Sequence, residues 1–266
     1  CSGVVVHTST TVSLTKCSLF SARSSISEKW AAKLLKHPNK RVAAAAALGL
    51  WEAEPRGGIP EKLERQWSEA ITEVAADEWK LIAVFEKRSD IAKAWIARRL
   101  TGQGDNSAGW VSWDQGPGRT ALAALQYEDR RELLDEVAQH PNQGRLGKAL
   151  VGNDIGLYRH LLSTSSGSPR FLCVLEGPLH GNWILKAQAA LDAGFTPVQV
   201  VDASLRTGAW SGPESEMWAD RVNAFRELQT HDDSRIREVG RVGQEYAEKE
   251  RQVAAERERH EAIHGG

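Results

Sequence analysis

An all-α fold, an irregular array of paired helices, is what this sequence predicts, and three observations predict it. A polar turn recurs at His37-Pro38-Asn39-Lys40-Arg41, at His140-Pro141-Asn142-Gln143-Gly144-Arg145 and at His231-Asp232-Asp233-Ser234-Arg235. The stretches flanking these turns carry apolar residues at helical spacing, not at the alternation of a strand. Capping residues stand at the junctions: Asn39 and Thr196 can accept an orphaned backbone N–H, and Gly194 sits where a helix commonly ends.

Residues 1–27 are rich in Ser, Thr and Val, with weak alternation from Val4 to Leu14. A lone strand has little to pair with in a helical chain, so a disordered or loosely extended tail is expected. From Ser25 the pattern turns helical, with Glu28 in capping-box position and Trp30, Ala31, Leu34 and Leu35 on the apolar face. Pro38 ends that helix by disfavouring helical geometry at His37. The Ala-dense run from Val42 to Leu50 can approach its neighbours closely, which makes it a central helix. Residues 54–60 form a turn.

Helices follow over 61–76, with Leu63, Trp67, Ile71 and Val74 apolar, and over 77–87, with Trp79, Ile82, Ala83 and Phe85 apolar. Lys87-Arg88-Ser89-Asp90 repeats the turn logic and leads into a helix from Ile91 to Leu100. Residues 101–119, with five glycines, Trp110, Trp113 and Asp114, are the longest break and the expected boundary between two halves. The two tryptophans are expected to fold back onto the helices.

Helices resume at Thr120 and at Asp129, then over 145–151 and 154–162, the last capped by Asn153 or Asp154. Residues 171–175 are either extended or one helical turn. Asn182 to Ala193 is a strong helix, and Thr196-Pro197-Val198-Gln199 opens the next with a capping box. Ser211-Gly212-Pro213-Glu214 opens another in the same way, with Trp218, Val222, Phe225 and Leu228 on its buried face. The last helix shows Ile236, Val239, Val242, Gly243 and Tyr246 at helical spacing. Beyond Tyr246 alternating Glu and Lys or Arg predict a solvated helix projecting past the body. The organisation is therefore a tail (1–27), N-terminal repeats (28–100), a Gly/Trp loop (101–119), C-terminal repeats (120–247) and a charged helical tail (248–266).

Composition narrows the function classes. The 266 residues are 41% hydrophobic and 26% charged, which describes a globular chain. With 34 Lys and Arg against 35 Asp and Glu, no global attraction to nucleic acid or an anionic membrane is implied, leaving only a local basic face open. Cys1, Cys17 and Cys173 are too few and too scattered for a disulfide scaffold, so a cytoplasmic setting is expected. No apolar window is long enough to span a bilayer. The chain opens on Cys1 and closes on Gly265-Gly266, and a fragment, a processed form and one piece of a larger protein are all open readings of it.

The polar turns followed by Arg41, Arg145 and Arg235 resemble those of HEAT-like repeats, in which Asp or Asn caps the second helix of a pair and an Arg follows. The turns lie 103 and 91 residues apart, about two repeat lengths of roughly 40 to 47 residues each. The resemblance covers residues 28–247 and implies a stack of helix pairs with a binding surface for proteins or nucleic acid. It extends to the helical C-terminal regions of larger bacterial multidomain proteins. It implies no reaction, because fold does not fix function.

Catalytic signals are sparse. His260-Glu261-Ala262-Ile263-His264 matches HExxH, in which His260 and His264 on one helix face would hold zinc and Glu261 would act as base. Charged neighbours offer nothing to exclude water there. Trp110 with Asp114 resembles the aromatic and acidic pair of HEAT-like DNA glycosylases, but in a Gly-rich loop. His37, His140 and His231 read as turn punctuation, not as a triad. No catalytic residue, cofactor or metal is assigned. The expectation is a non-enzymatic scaffold or interaction module for a protein partner, with nucleic acid less favoured and no membrane. Trp210, Trp218, Arg235, Arg237 and Arg241 are the partner-binding candidates.

Overall fold

The computed structural model describes residues 25–53, 59–100, 111–140, 143–176, 179, 181–205 and 212–264 of the chain. The expectations for residues 1–24, Trp110, the Pro141-Asn142 pair and Trp210 lie outside the described residues. Among those described, every regular element is helical. The helices are α1 (Ser25–Leu35), α2 (Lys40–Ala53), α3 (Glu61–Ile71), α4 (Leu81–Phe85), α5 (Ser89–Leu100), α6 (Gly116–Ala124), α7 (Tyr127–Gln139), α8 (Gly144–Val151) and α9 (Ile155–Thr164). A 3-10 helix (Pro169–Leu175) precedes α10 (Asn182–Asp192), α11 (Pro197–Ser204), α12 (Glu214–Leu228) and α13 (Ser234–His264). None is long and apolar enough to cross a membrane.

Packing runs along the chain. α1 lies on α2 and α3, α3 on α5, α5 on α6 and α7, α7 on α8 and α9, and α9 on α10; α11 and α12 close on α13. Every substantial contact among the described residues joins elements that are near neighbours in sequence. The Ala-rich α2 buries Ala43, Ala44 and Ala47 beneath its neighbours, as its composition predicts.

Three indoles pin successive layers through backbone carbonyls. Trp67 Nε1–H donates to Ala47 O at 2.9 Å, Trp95 to Val74 O at 3.2 Å and Trp183 to Leu175 O at 2.9 Å. Each is buried, so each bond satisfies a polar group that would otherwise be costly to enclose. Trp51 stacks on Trp67 at 5.5 Å, and Trp113 meets Trp95 edge-on at 6.1 Å, so Trp113 does fold back onto the helices.

The sequence overestimates two helices. α3 stops at Ile71 and α4 covers only Leu81–Phe85, with turns between them. Tertiary donors claim the carbonyls there: Arg99 donates to Thr72 O and Val74 O, and Trp95 also donates to Val74 O. Trp30 and Trp79, placed on apolar faces by spacing, are 58% and 65% exposed. Trp79 instead lies across Gly116, whose φ of 59° opens α6 four residues before Thr120.

The charged tail also departs from expectation. Residues 248–258 do not project but run along α12, burying Ala254. The two helices approach closely because α13 presents Gly240 and Gly243 to Phe225; a Cβ at Gly243 would lie 2.3 Å from that ring. At the far end Glu258 accepts the Ser215 N–H at 3.0 Å, and Arg257 pairs with Glu214. Pro213 has no capping side chain, so the N-terminus of α12 is capped by a residue of α13.

Candidate interaction site

The first and third polar turns share one geometry. His37 N–H and His231 N–H bond back to the carbonyls three residues earlier, at 3.0 and 3.1 Å, and end α1 and α12. Each ring then accepts from the backbone two residues on: Asn39 N–H to His37 Nδ1 at 3.1 Å, and Asp233 N–H to His231 Nδ1 at 3.0 Å. Each Asx side chain next accepts from the following Arg, Arg41 N–H at 3.0 Å and Arg235 N–H at 2.8 Å. An accepting Nδ1 puts the ring proton on Nε2. These histidines therefore shape turns, as their recurrence suggests. At the second turn His140 N–H makes the same backward bond, to Val137 O at 3.1 Å.

The candidate arginines cluster beyond the third turn, and each has an intramolecular task. Arg235 binds Asp233 at 3.0 Å and reaches α10 through Asp192 at 2.8 Å. The Arg235 guanidinium holds the Asp233 carboxyl down at about 2. Arg237 donates to the carbonyls of His231 and Asp232 at 3.0 and 2.8 Å, covering the turn. Arg241 bridges Glu238 and Glu245, both at 2.6 Å, along its own helix. Trp218 lies in the α12–α13 seam, 8% exposed, against Tyr246, and its Nε1–H donates to Glu214 at 3.3 Å. The arginines do not form a free basic stripe; they work as ties between layers and along the helix.

Beside this turn lies a cleft of about 400 Å³ between the start of α10 and the end of α12. Leu179 and Ile184 supply apolar wall, while Glu227, Thr230, His231 and Asp232 supply polar rim. Sequence spacing gives no sign of it, because its walls come from segments some 45 residues apart that only the stack brings together.

The other candidates separate. The His260 and His264 rings lie 4.6 Å apart, tilted by 41°, on the exposed last turns of α13 with Glu261 beside them. No group of three His, Cys, Asp or Glu side chains among the described residues is arranged to hold a metal ion. Asp114 is exposed ahead of α6, where the Ser112 hydroxyl at 2.6 Å holds its carboxyl below the usual range.

No protein-family model, curated protein or solved structure matches the chain. Its own geometry carries the functional argument.

A half-buried cation, Arg99, was not singled out from the sequence. Arg99 lies 3.5 Å from the centre of the Trp95 ring and donates to Trp95 O at 3.0 Å and Val74 O at 2.6 Å. Burial pulls its pKa down to about 9, which still leaves it charged at neutral pH. It faces the carbonyls of Thr72, Val74 and Trp95 and an indole, and so anchors the 72–74 turn.

Proposed function

We propose that the chain is a non-enzymatic, HEAT-like helical scaffold that binds a protein partner, as a part of a larger protein or complex in the cytoplasm. The linear order of packing carries this reading: neighbour-to-neighbour contact is the construction of repeat proteins that present extended binding surfaces. The shared geometry of the turns at His37 and His231 supports a common repeat unit. The cleft walled by Leu179 and Ile184 and rimmed by Glu227 and Asp232 suits an apolar anchor residue flanked by basic ones.

A photo-crosslinking residue at Ile184 tests it. In native extract it should give one dominant protein adduct, lost when Leu179→Glu is added. Many weak adducts unaffected by Leu179→Glu would count against the cleft. A zinc-dependent peptidase activity abolished by His260→Ala, or glycosylase activity abolished by Asp114→Ala, would replace the scaffold reading with an enzymatic one.

A further inference from the structure

The near-zero net charge conceals a strong asymmetry. The first 51 residues hold seven Lys and Arg against one carboxylate, Glu28, while the rest of the chain holds 27 against 34. No Asp or Glu occurs between Glu28 and Glu52. Five of the seven, Lys29, Lys33, Lys36, Lys40 and Arg41, lie along α1 and the turn into α2, and the substantial contacts of α1 are with α2 and α3.

Lys29 and Lys33 on α1 and Lys36 directly after it, whose N–H still bonds back to Ala32 O at 3.3 Å, are spaced i, i+4, i+7, so they fall on one face spanning about 10 Å at 1.5 Å per residue. All three are exposed, and among the described residues no carboxylate pairs with any of them. Lys40 follows across the turn, 60% exposed and shared with Glu73 at 3.2 Å. Beside the stripe stands Trp30, 58% exposed, with the Lys33 ammonium 5.3 Å from its ring centre. The apolar side of α1 is already spent on Ala31 and Leu35, both buried in the body. An exposed indole at the edge of a lysine row is therefore not a residue of the core.

We propose that this α1 surface binds single-stranded nucleic acid without sequence preference, with Lys29, Lys33, Lys36 and Lys40 on phosphates and Trp30 stacked on an unpaired base. Single strands offer both features the surface answers, a row of phosphates and accessible aromatic faces. Paired bases would leave Trp30 without a partner. A bilayer is the poorer fit, since among the described side chains of α1 Trp30 is the one exposed large apolar residue. The net-acidic remainder of the chain would repel the strand and confine it to this end.

The test is fluorescence anisotropy of a labelled oligothymidylate of about 20 nucleotides with the full chain, titrated between about 50 and 200 mM salt. Three to four phosphate contacts predict an affinity loss of about 20- to 50-fold over that range. Lys29→Glu with Lys36→Glu should flatten the log–log salt slope by about 1.4. Trp30→Ala should weaken binding by roughly 5- to 150-fold and leave the slope unchanged, because stacking releases no counterions. All three sites are exposed, so the variants should melt with the parent. Equal affinity of parent and variants, or tighter binding to polyglutamate or to phosphatidylserine vesicles than to the oligonucleotide, would overturn the assignment. Binding or its loss here would leave the α10–α12 cleft untouched, so the scaffold reading is tested separately.

Discussion

At the residue scale, glycine, tryptophan and one aspartate settle local questions that helix propensity alone would decide wrongly. Ala for Gly243 should gain about 1 kcal/mol of helix propensity. Against that, its Cβ would lie 2.3 Å from Phe225, and overpacking a filled seam costs about 1–3 kcal/mol. Gly243→Ala should therefore lower stability in denaturant titration, whereas an open-site control, Gly49→Ala, should raise it, because nothing lies within 4 Å of a Cβ there. Asp233 sets a pH signature. Its folded pKa, lowered to about 2 by Arg235, lies below the value of about 3.9 expected in the unfolded chain. Its contribution is therefore complete above the unfolded value and lost as pH falls toward 2. Asp233→Asn keeps the turn's acceptor and removes the charge, so its stability deficit should be present at neutral pH and fade through that acid window.

At the element scale, the helix pairs are legible in the sequence while several of their limits are not. Asn39, Thr196 and Asp154 announce helix starts because their side chains cap locally; Thr196 and Gln199 make the reciprocal box and Asp154 accepts from Leu157 N–H. The stop at Ile71 is invisible because its cause, Arg99 and Trp95 reaching the 72–74 carbonyls, lies more than 20 residues away. The cap of α12 is hidden for the same reason, Glu258 being 43 residues beyond Ser215. Glu258→Ala should accordingly increase hydrogen exchange at the first amides of α12, with little effect at its last turn. The exposed tryptophans mislead for another reason: helical spacing places Trp30 and Trp79 near an apolar stripe but does not show how wide a stripe the neighbours cover. The basic end was legible as an acid-free stretch, yet a count over the whole chain averaged it away.

At the scale of the whole molecule, contacts among sequence neighbours make stability local. α1–α3 and α12–α13 occupy opposite ends of the contact order, with substantial contacts only through intervening layers. The proposed partner cleft near α12 and the proposed nucleic-acid face on α1 thus lie at separate ends, and occupying one need not distort the other. Such a chain should open by segments, in contrast to a single core lost all at once. Phe225→Ala provides the perturbation, since this fully buried ring lies at the α12–α13 crossing and its removal should cost about 3–5 kcal/mol. Native-state hydrogen exchange on that variant is the most direct test of the linear stack. Protection should fall in α11–α13 and persist in α1–α3; an equal loss of protection along the entire chain would contradict it.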